Sequence, residues 1–186
     1  MRRTMLFLPG NTPNMLINGD TLGADTIIFD LEDAVSPDEK DAARILVRNA
    51  LKYQSFPNCE VVVRINPTDT EFWKEDLKAI IPLKPDVVMP TKVSGGEMIR
   101  QVADYITEVE KAAGVEEGSV KILPLIETAL GVEKAFDIAS ADKRVIGLFL
   151  GGEDFTADMH CKRDQRGQGN LLCQNTSGMC GQSLRH

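Results

Sequence analysis

Six short apolar runs, rich in β-branched residues and each followed by a stretch of helical character, constrain this chain more than any other feature. They are Met5–Leu8, Thr26–Phe29, Glu60–Ile65, Asp86–Met89, Lys121–Ile126 and Val145–Leu150. Each is nearly continuous in apolar residues instead of alternating, the pattern of strands buried on both faces of a parallel sheet. The stretches between them carry helix signals. Ser36-Pro37-Asp38-Glu39 offers a capping box with proline at the first helical position, and Asn11-Thr12-Pro13 opens another helix. Apolar Ile99, Val102, Ile106 and Val109 predict a helix over 98–113 that Gly114 ends. Strand starts fall roughly 20 to 35 residues apart, the length of βα units joined by right-handed crossovers. Such units build a doubly wound sheet or a barrel. The first strand runs into Leu8-Pro9-Gly10-Asn11, not the G-x-G-x-x-G of a dinucleotide fold. The expected class is therefore α/β, a TIM-type (β/α)8 barrel, incomplete here with about six βα units.

Composition sets limits on partners. The 186 residues, 42% apolar and 26% charged, suit one globular domain better than two. No run approaches the roughly 18 unbroken apolar residues of a membrane span, and the start lacks a signal peptide's apolar stretch. A cytoplasmic protein without a membrane partner is expected. The net charge of -7 argues against a nucleic-acid partner. Cys59, Cys161, Cys173 and Cys180 form no C-x-x-C pair and no disulfide scaffold. The spacing of Cys173 and Cys180, with no well-placed histidine, also fits zinc poorly. Composition breaks after Arg163: residues 164–186 hold four Gln, four Gly and two Cys and no Ala, Val, Ile, Glu or Phe. The expected organisation is a domain over 1–163 and a disordered or loosely attached tail over 164–186.

Polar residues gather where the strands end. Asp30, Glu32 and Asp33 follow the second run, Arg64 and Asn66 close the third, and Thr91 and Lys92 follow the fourth. Glu127 follows the fifth, and Gly151-Gly152-Glu153-Asp154 the sixth. In a β/α barrel these ends form the catalytic rim. Charges gathered there must pair or hold a cation, so three acidic clusters with Arg64 and Lys92 suggest a divalent metal and an anionic substrate. Carboxylate donors favour Mg²⁺, since His160 is the one histidine before the composition break. There is no G-x-S-x-G for acyl transfer, and a Schiff-base role for Lys92 is unforced. Plainer readings stand beside these. Asp30, Glu32 and Asp33 could be capping or solvated charges, Arg64 a buried structural ion pair, and Glu127 and Asp154 ordinary strand-end charges. Lys40, Arg44 and Arg48 recur as one basic helix face, read as solvated or salt-bridged, and His160 as a structural leftover at a helix end.

Five segments, in order, resemble the citrate lyase β-subunit family, which includes malyl-CoA and citramalyl-CoA lyases within the wider HpcH/HpaI aldolase group. They are Arg3-Thr-Met-Leu-Phe-Leu-Pro-Gly-Asn11, Phe29-Asp-Leu-Glu-Asp-Ala-Val35, Val63-Arg-Ile-Asn66, Leu125-Ile-Glu-Thr-Ala-Leu-Gly131 and Gly151-Gly-Glu-Asp-Phe155. The resemblance covers residues 1 to 163. It implies a Mg²⁺-dependent barrel lyase that cleaves a carbon–carbon bond of a 3-hydroxy-acyl thioester. For the citrate lyase members this means citryl thioester on an acyl carrier, giving acetyl thioester and oxaloacetate. By the same resemblance Glu127 and Asp154 match the metal-binding carboxylates, with Glu127 also beside the substrate. Arg64 matches the arginine that clamps a substrate carboxylate, and Arg3 is expected near the same pocket. Asp30 or Asp33 is expected to take the hydroxyl proton. Implied partners are a citrate lyase α subunit, an acyl-carrier γ subunit and further copies of the chain. A malyl-CoA or citramalyl-CoA substrate remains the alternative.

The chain also departs from the family. Six strands are expected where a barrel has eight, which leaves two sheet edges exposed. Codons for Asp164 onward can be chosen so that reading one base later gives a family-like amphipathic helix. A one-base insertion after the Arg163 codon is the corresponding expectation, and a truncated, non-catalytic product the competing one.

Overall fold

A computed structural model describes residues 2–160. Cys161, Cys173 and Cys180, the boundary at Arg163 and the expectations for the tail lie outside the described residues. The chain divides into two compact units. One comprises Met1–Met89 and Tyr105–Lys121, the other Pro90–Asp104 and the chain from Ile122 onward.

In the first unit β1 (Met5–Pro9), β2 (Thr26–Asp30), β3 (Glu60–Arg64) and β4 (Val87–Met89) form a parallel sheet in that order. A doubly wound sheet would reverse its order at a switch point, whereas a barrel adds each strand beside the last. The sequential order is the barrel's, as expected, in an α/β fold with parallel strands. Burial on both faces holds for β2, where all five residues are buried, and for Val62 and Val63 of β3. It fails for β1, whose Leu6 and Phe7 are each 36% exposed because this strand forms the edge of its sheet.

The helices of this unit are α1 (Pro13–Ile17), α2 (Lys40–Tyr53) and α3 (Phe72–Ile80). The proline start of α1 is present. Ahead of α2 the chain first makes a 3-10 turn over Pro37–Glu39, and the Ser36 hydroxyl donates to the Glu39 carboxylate at 3.0 Å instead of capping a backbone N–H. The capping box is thus replaced by a contact between its two side chains. Gly10, directly after β1, has a steric reason: a Cβ there would lie 2.6 Å from the Asp30 carbonyl oxygen and 3.1 Å from Leu31 and Val47. Gly10→Ala should cost roughly 1–3 kcal/mol, read as a lower urea midpoint.

The long helix α4 (Gly96–Ala113) contains the predicted span and ends at Gly114, whose left-handed φ of 67° glycine adopts without strain. The fifth expected run is two strands, β5 (Lys121–Ile122) and β6 (Leu125–Ile126), parted at Pro124, which has no N–H to donate. The sixth shrinks to β7 (Phe149–Leu150), with Val145 bridging Ile122 alone. Pro124 still accepts from the Phe149 N–H at 2.9 Å, so in the second unit the interrupted ladder resumes as the parallel pair β6–β7. Short helices α5 (Ala129–Glu133), α6 (Ala135–Ala139) and α7 (Gly152–Asp158) are the other helices that lie wholly within the described residues of that unit.

Candidate active site

Each unit carries one cluster of the expected rim residues. In the first, parallel register pairs Pro9 with Asp30, Asp30 with Arg64 and Arg64 with Met89 across the carboxyl ends of the strands. Register partners send their side chains to the same face of a sheet, so Asp30 and Arg64 meet by construction. Arg64 Nε donates to Asp30 Oδ1 at 2.7 Å and Nη2 donates to Oδ2, while Nη1 stands 3.4 Å from Glu32 Oε2 and 4.0 Å from Asp33 Oδ2. The guanidinium lies over the Phe7 ring, 4.8 Å from its centroid. Asp30 is 1% exposed and Glu32 3%, while the Asp33 side chain is half open to solvent.

This geometry alters two sequence expectations. The bidentate clamp expected of Arg64 for a substrate carboxylate is occupied by Asp30. Asp30 Oδ1 further accepts from the Glu32 N–H at 2.8 Å and Oδ2 from the Ala34 N–H at 3.1 Å. A carboxylate offers about four lone-pair sites, and four donors fill them, so Asp30 orients Arg64 and the following loop and is poorly placed to take a substrate proton. Asp33 is the member of the pair left with solvent access. The plain reading of Arg64 as a buried ion pair and the reading of it as a rim residue are therefore both realised.

Arg3 is placed elsewhere. It precedes β1 and forks onto Asp25, which precedes β2, with Nη2–Oδ1 at 2.7 Å and Nε–Oδ2 at 3.0 Å. Asp30 and Arg64 end their strands, so Arg3 sits at the opposite end of a five-residue strand, a span of about 17 Å. It does not join the pocket expected for it. Hydrogen bonding to Arg3 holds the Asp25 carboxyl well below the usual carboxylate range, and Arg2 lowers Glu60 in the same way. A carboxyl depressed in the folded state stabilises it above the ordinary value near pH 4 and loses that contribution as pH falls toward the folded value. Arg3→Ala should therefore flatten the fall in melting temperature between about pH 4 and pH 2, and should leave turnover within about twofold.

Sequence reasoning also missed three buried charges. Lys40, expected on a solvated or salt-bridged face, lies instead on the buried stripe of α2 with Ala43, Val47 and Ala50. Arg44 does pair, with Asp76 at 2.8 Å and Asp41 at 2.6 Å. Fully buried Asp76 also accepts from the Asn66 N–H at 3.1 Å and side chain at 2.7 Å, fixing Asn66 after β3. Glu110 accepts from the Gly118 N–H at 3.0 Å and the Val120 N–H at 3.3 Å, capping the loop before β5. A polar residue at a core-facing helical position was the signal available for Lys40 and Asp76.

In the second unit Glu127 follows β6, is 3% exposed and accepts from the Lys92 N–H through Oε2 at 3.1 Å. Lys92 itself is exposed and holds a left-handed φ of 53°, which aims that N–H. Gly151 lies against Glu127: a Cβ there would come 2.6 Å from Glu127 Cγ and 3.0 Å from Oε1. Its N–H donates to the Ile126 carbonyl at 2.8 Å, so the backbone of the Gly151–Gly152 turn passes directly beside the carboxylate. Asp154 follows, exposed, in the first turn of α7. Asp158, at the end of the same helix, accepts from the Ala129 N–H at 2.8 Å. His160 lies exposed beyond α7.

A buried carboxylate in a glycine-walled niche and an exposed one on the next strand's helix are oxygen donors alone. They fit a hard cation such as Mg²⁺, which takes one or two protein carboxylates and keeps its other positions for water and substrate. Among the described residues no group of three or more His, Cys, Asp and Glu converges for a metal. The acidic cluster of the first unit is instead gathered around Arg64.

No helix among the described residues is long and apolar enough to cross a membrane. Citrate lyase subunit beta of Leuconostoc mesenteroides is 45% identical over 175 residues, 94% of this chain and 58% of that protein. A (3S)-malyl-CoA thioesterase of Cereibacter sphaeroides is 36% identical over 96% of this chain and 57% of its own length. The chain thus spans somewhat over half the length of these relatives. A structure of the citrate lyase beta subunit from M. tuberculosis with oxaloacetate and magnesium superposes with a TM-score of 0.77 at 26% identity, over 98% of this chain and 76% of that one. The model of HpcH/HpaI aldolase/citrate lyase matches residues 3–177, and this chain belongs to that family.

Proposed function

We propose that this chain belongs to a Mg²⁺-dependent carbon–carbon lyase that cleaves carrier-bound citryl thioester to acetyl thioester and oxaloacetate, as a citrate lyase beta subunit does. The observation that carries the reading is the buried Glu127 carboxylate seated against Gly151, with Asp154 following, in a chain 45% identical to such a subunit. Glu127 and Asp154 would hold the ion, which when bound supplies charge to acidify the substrate hydroxyl and favour the ketone that replaces it. The remaining work belongs to side chains. The family resemblance gives Arg64 the substrate carboxylate; within the first unit Asp30 orients it and engages Nε and Nη2, which leaves Nη1 as the donor for a single charge-assisted contact. Asp33, the solvent-accessible carboxylate of that unit, is the base that the same resemblance offers for the hydroxyl proton. The carbon–carbon bond then breaks, its electron pair leaves with the thioester carbon, and protonation there gives acetyl thioester. A cytoplasmic location, a citrate lyase α subunit, an acyl-carrier γ subunit and self-association belong to the same proposal.

The malyl-CoA thioesterase relatives favour a second reading, a malyl-CoA or citramalyl-CoA thioester as substrate. One assay separates the two: the chain, alone and alongside a relative of full length, is given citryl-carrier thioester or malyl-CoA with Mg²⁺ or with EDTA. Oxaloacetate released from the citryl substrate, and abolished by EDTA, supports the first reading. Turnover of malyl-CoA alone would replace it with the second. Activity in the longer relative and none in this chain would leave the non-catalytic reading.

A further inference from the structure

We propose that Lys40 is a positioning residue whose buried ammonium ties down the Asp30–Val35 loop and so sets where Glu32 and Asp33 stand around Arg64. Lysine is a poor local choice at this place. It is the first residue of α2, where the helix dipole disfavours a cation, and it is only 8% exposed, where an ammonium loses its hydration. Something non-local must compensate, and the contacts show what. Nζ donates to the Leu31 carbonyl at 2.8 Å and to the Glu32 carbonyl at 2.6 Å. Burial pulls the Lys40 amine down from the ordinary lysine value, and the charges of Glu32, Asp30, Asp76 and Asp33 oppose that pull.

The loop is held from two sides. Asp30 gathers its N–H groups at Glu32 and Ala34, and the Leu31 N–H donates to the Arg64 carbonyl at 3.0 Å. Lys40 gathers the carbonyls of Leu31 and Glu32. One compact ammonium reaches two converging oxygens on a flexible stem, which the planar fork of arginine matches less well. Aspartate and lysine together make a short, charged loop rigid without a turn-forming glycine. The consequence for catalysis rests on the lyase reading; the consequence for the loop does not.

The test compares Lys40→Met, which keeps the stem and removes the charge, with Lys40→Arg, using amide hydrogen exchange and Mg²⁺-dependent turnover. In Lys40→Met the amides of Glu32, Ala34 and Val35 should exchange at least about tenfold faster while those of Val62 and Val63 keep their protection. Turnover should lose about tenfold or more in kcat/KM, mainly through KM, with Mg²⁺ affinity unchanged. Lys40→Arg should restore part of both. Unchanged exchange in the loop would overturn the proposal, and so would uniform acceleration across the unit, which marks a role in general stability only. If the parent chain shows no turnover, the lyase reading fails while the exchange result still decides the role of Lys40.

Discussion

Arg64→Met should destabilise the first unit by about 3–5 kcal/mol, the usual cost of stripping one partner from a buried pair. The substitution keeps an apolar stem over Phe7 and removes only the charged fork. Asp30, 1% exposed, would then keep its two backbone N–H donors and lose both charge-assisted bonds from Arg64. Glu32, 3% exposed, would lose the cation 3.4 Å away. Buried carboxylates that lose this charge in a dry place cannot recover it from packing, although the Lys40 ammonium still acts on both. For a chain of this size the loss corresponds to a melting temperature lower by roughly 6–20 °C. Adding Asp30→Leu should recover only part of the loss, since it removes the uncompensated carboxylate but takes the acceptor from the Glu32 and Ala34 N–H groups. Denaturation of the two single variants and the double gives the coupling between the residues. A loss below about 1 kcal/mol in Arg64→Met would mean that the pair is hydrated in solution.

Glu127→Gln should leave the fold intact and cut Mg²⁺-dependent turnover by about two to four powers of ten, if the ion contributes the several kcal/mol usual for such sites. The fold survives because a glutamine carbonyl can still accept from the Lys92 N–H and fits the niche beside Gly151. The ion is lost because an amide oxygen carries no net charge. Asp154→Asn should do the same with even less effect on stability, since Asp154 is exposed in the first turn of α7. Titration of Mn²⁺ into the two variants, followed by its paramagnetic resonance, reads the ion directly and independently of turnover. Tight binding retained in both would remove these carboxylates from the metal site.

Much of this was legible in the residues. The periods of apolar side chains and the proline and glycine signals are local, so β2, β3 and β4, the start of α1 and the extent of α4 follow from the chain itself. Family motifs marked the strand ends at Asp30, Arg64 and Glu127 and the helix start at Asp154, and comparison over residues 3–177 supports the family they indicated. What was not legible is pairing. Nothing local told that the 34-residue separation between Asp30 and Arg64 closes into a fork, or that Arg3 chooses Asp25 at the far end of the strands. Nor did the spacing of Lys40, Arg44 and Arg48 show that the first turns inward and the second bridges to α3.

The physical reason is the range of the interactions. Steric preference and hydrophobic period act within a few residues, so sequence alone determined which segments become strand or helix and which polar types stand at the strand ends. Partners of buried charges are chosen by register between strands and by the packing of helices on the sheet. A single step of register would have sent Arg64 to the other face and left Asp30 alone. Only the tertiary structure decided that Asp30 holds Arg64, that Lys40 closes the loop between them, and that Gly151 leaves room for Glu127.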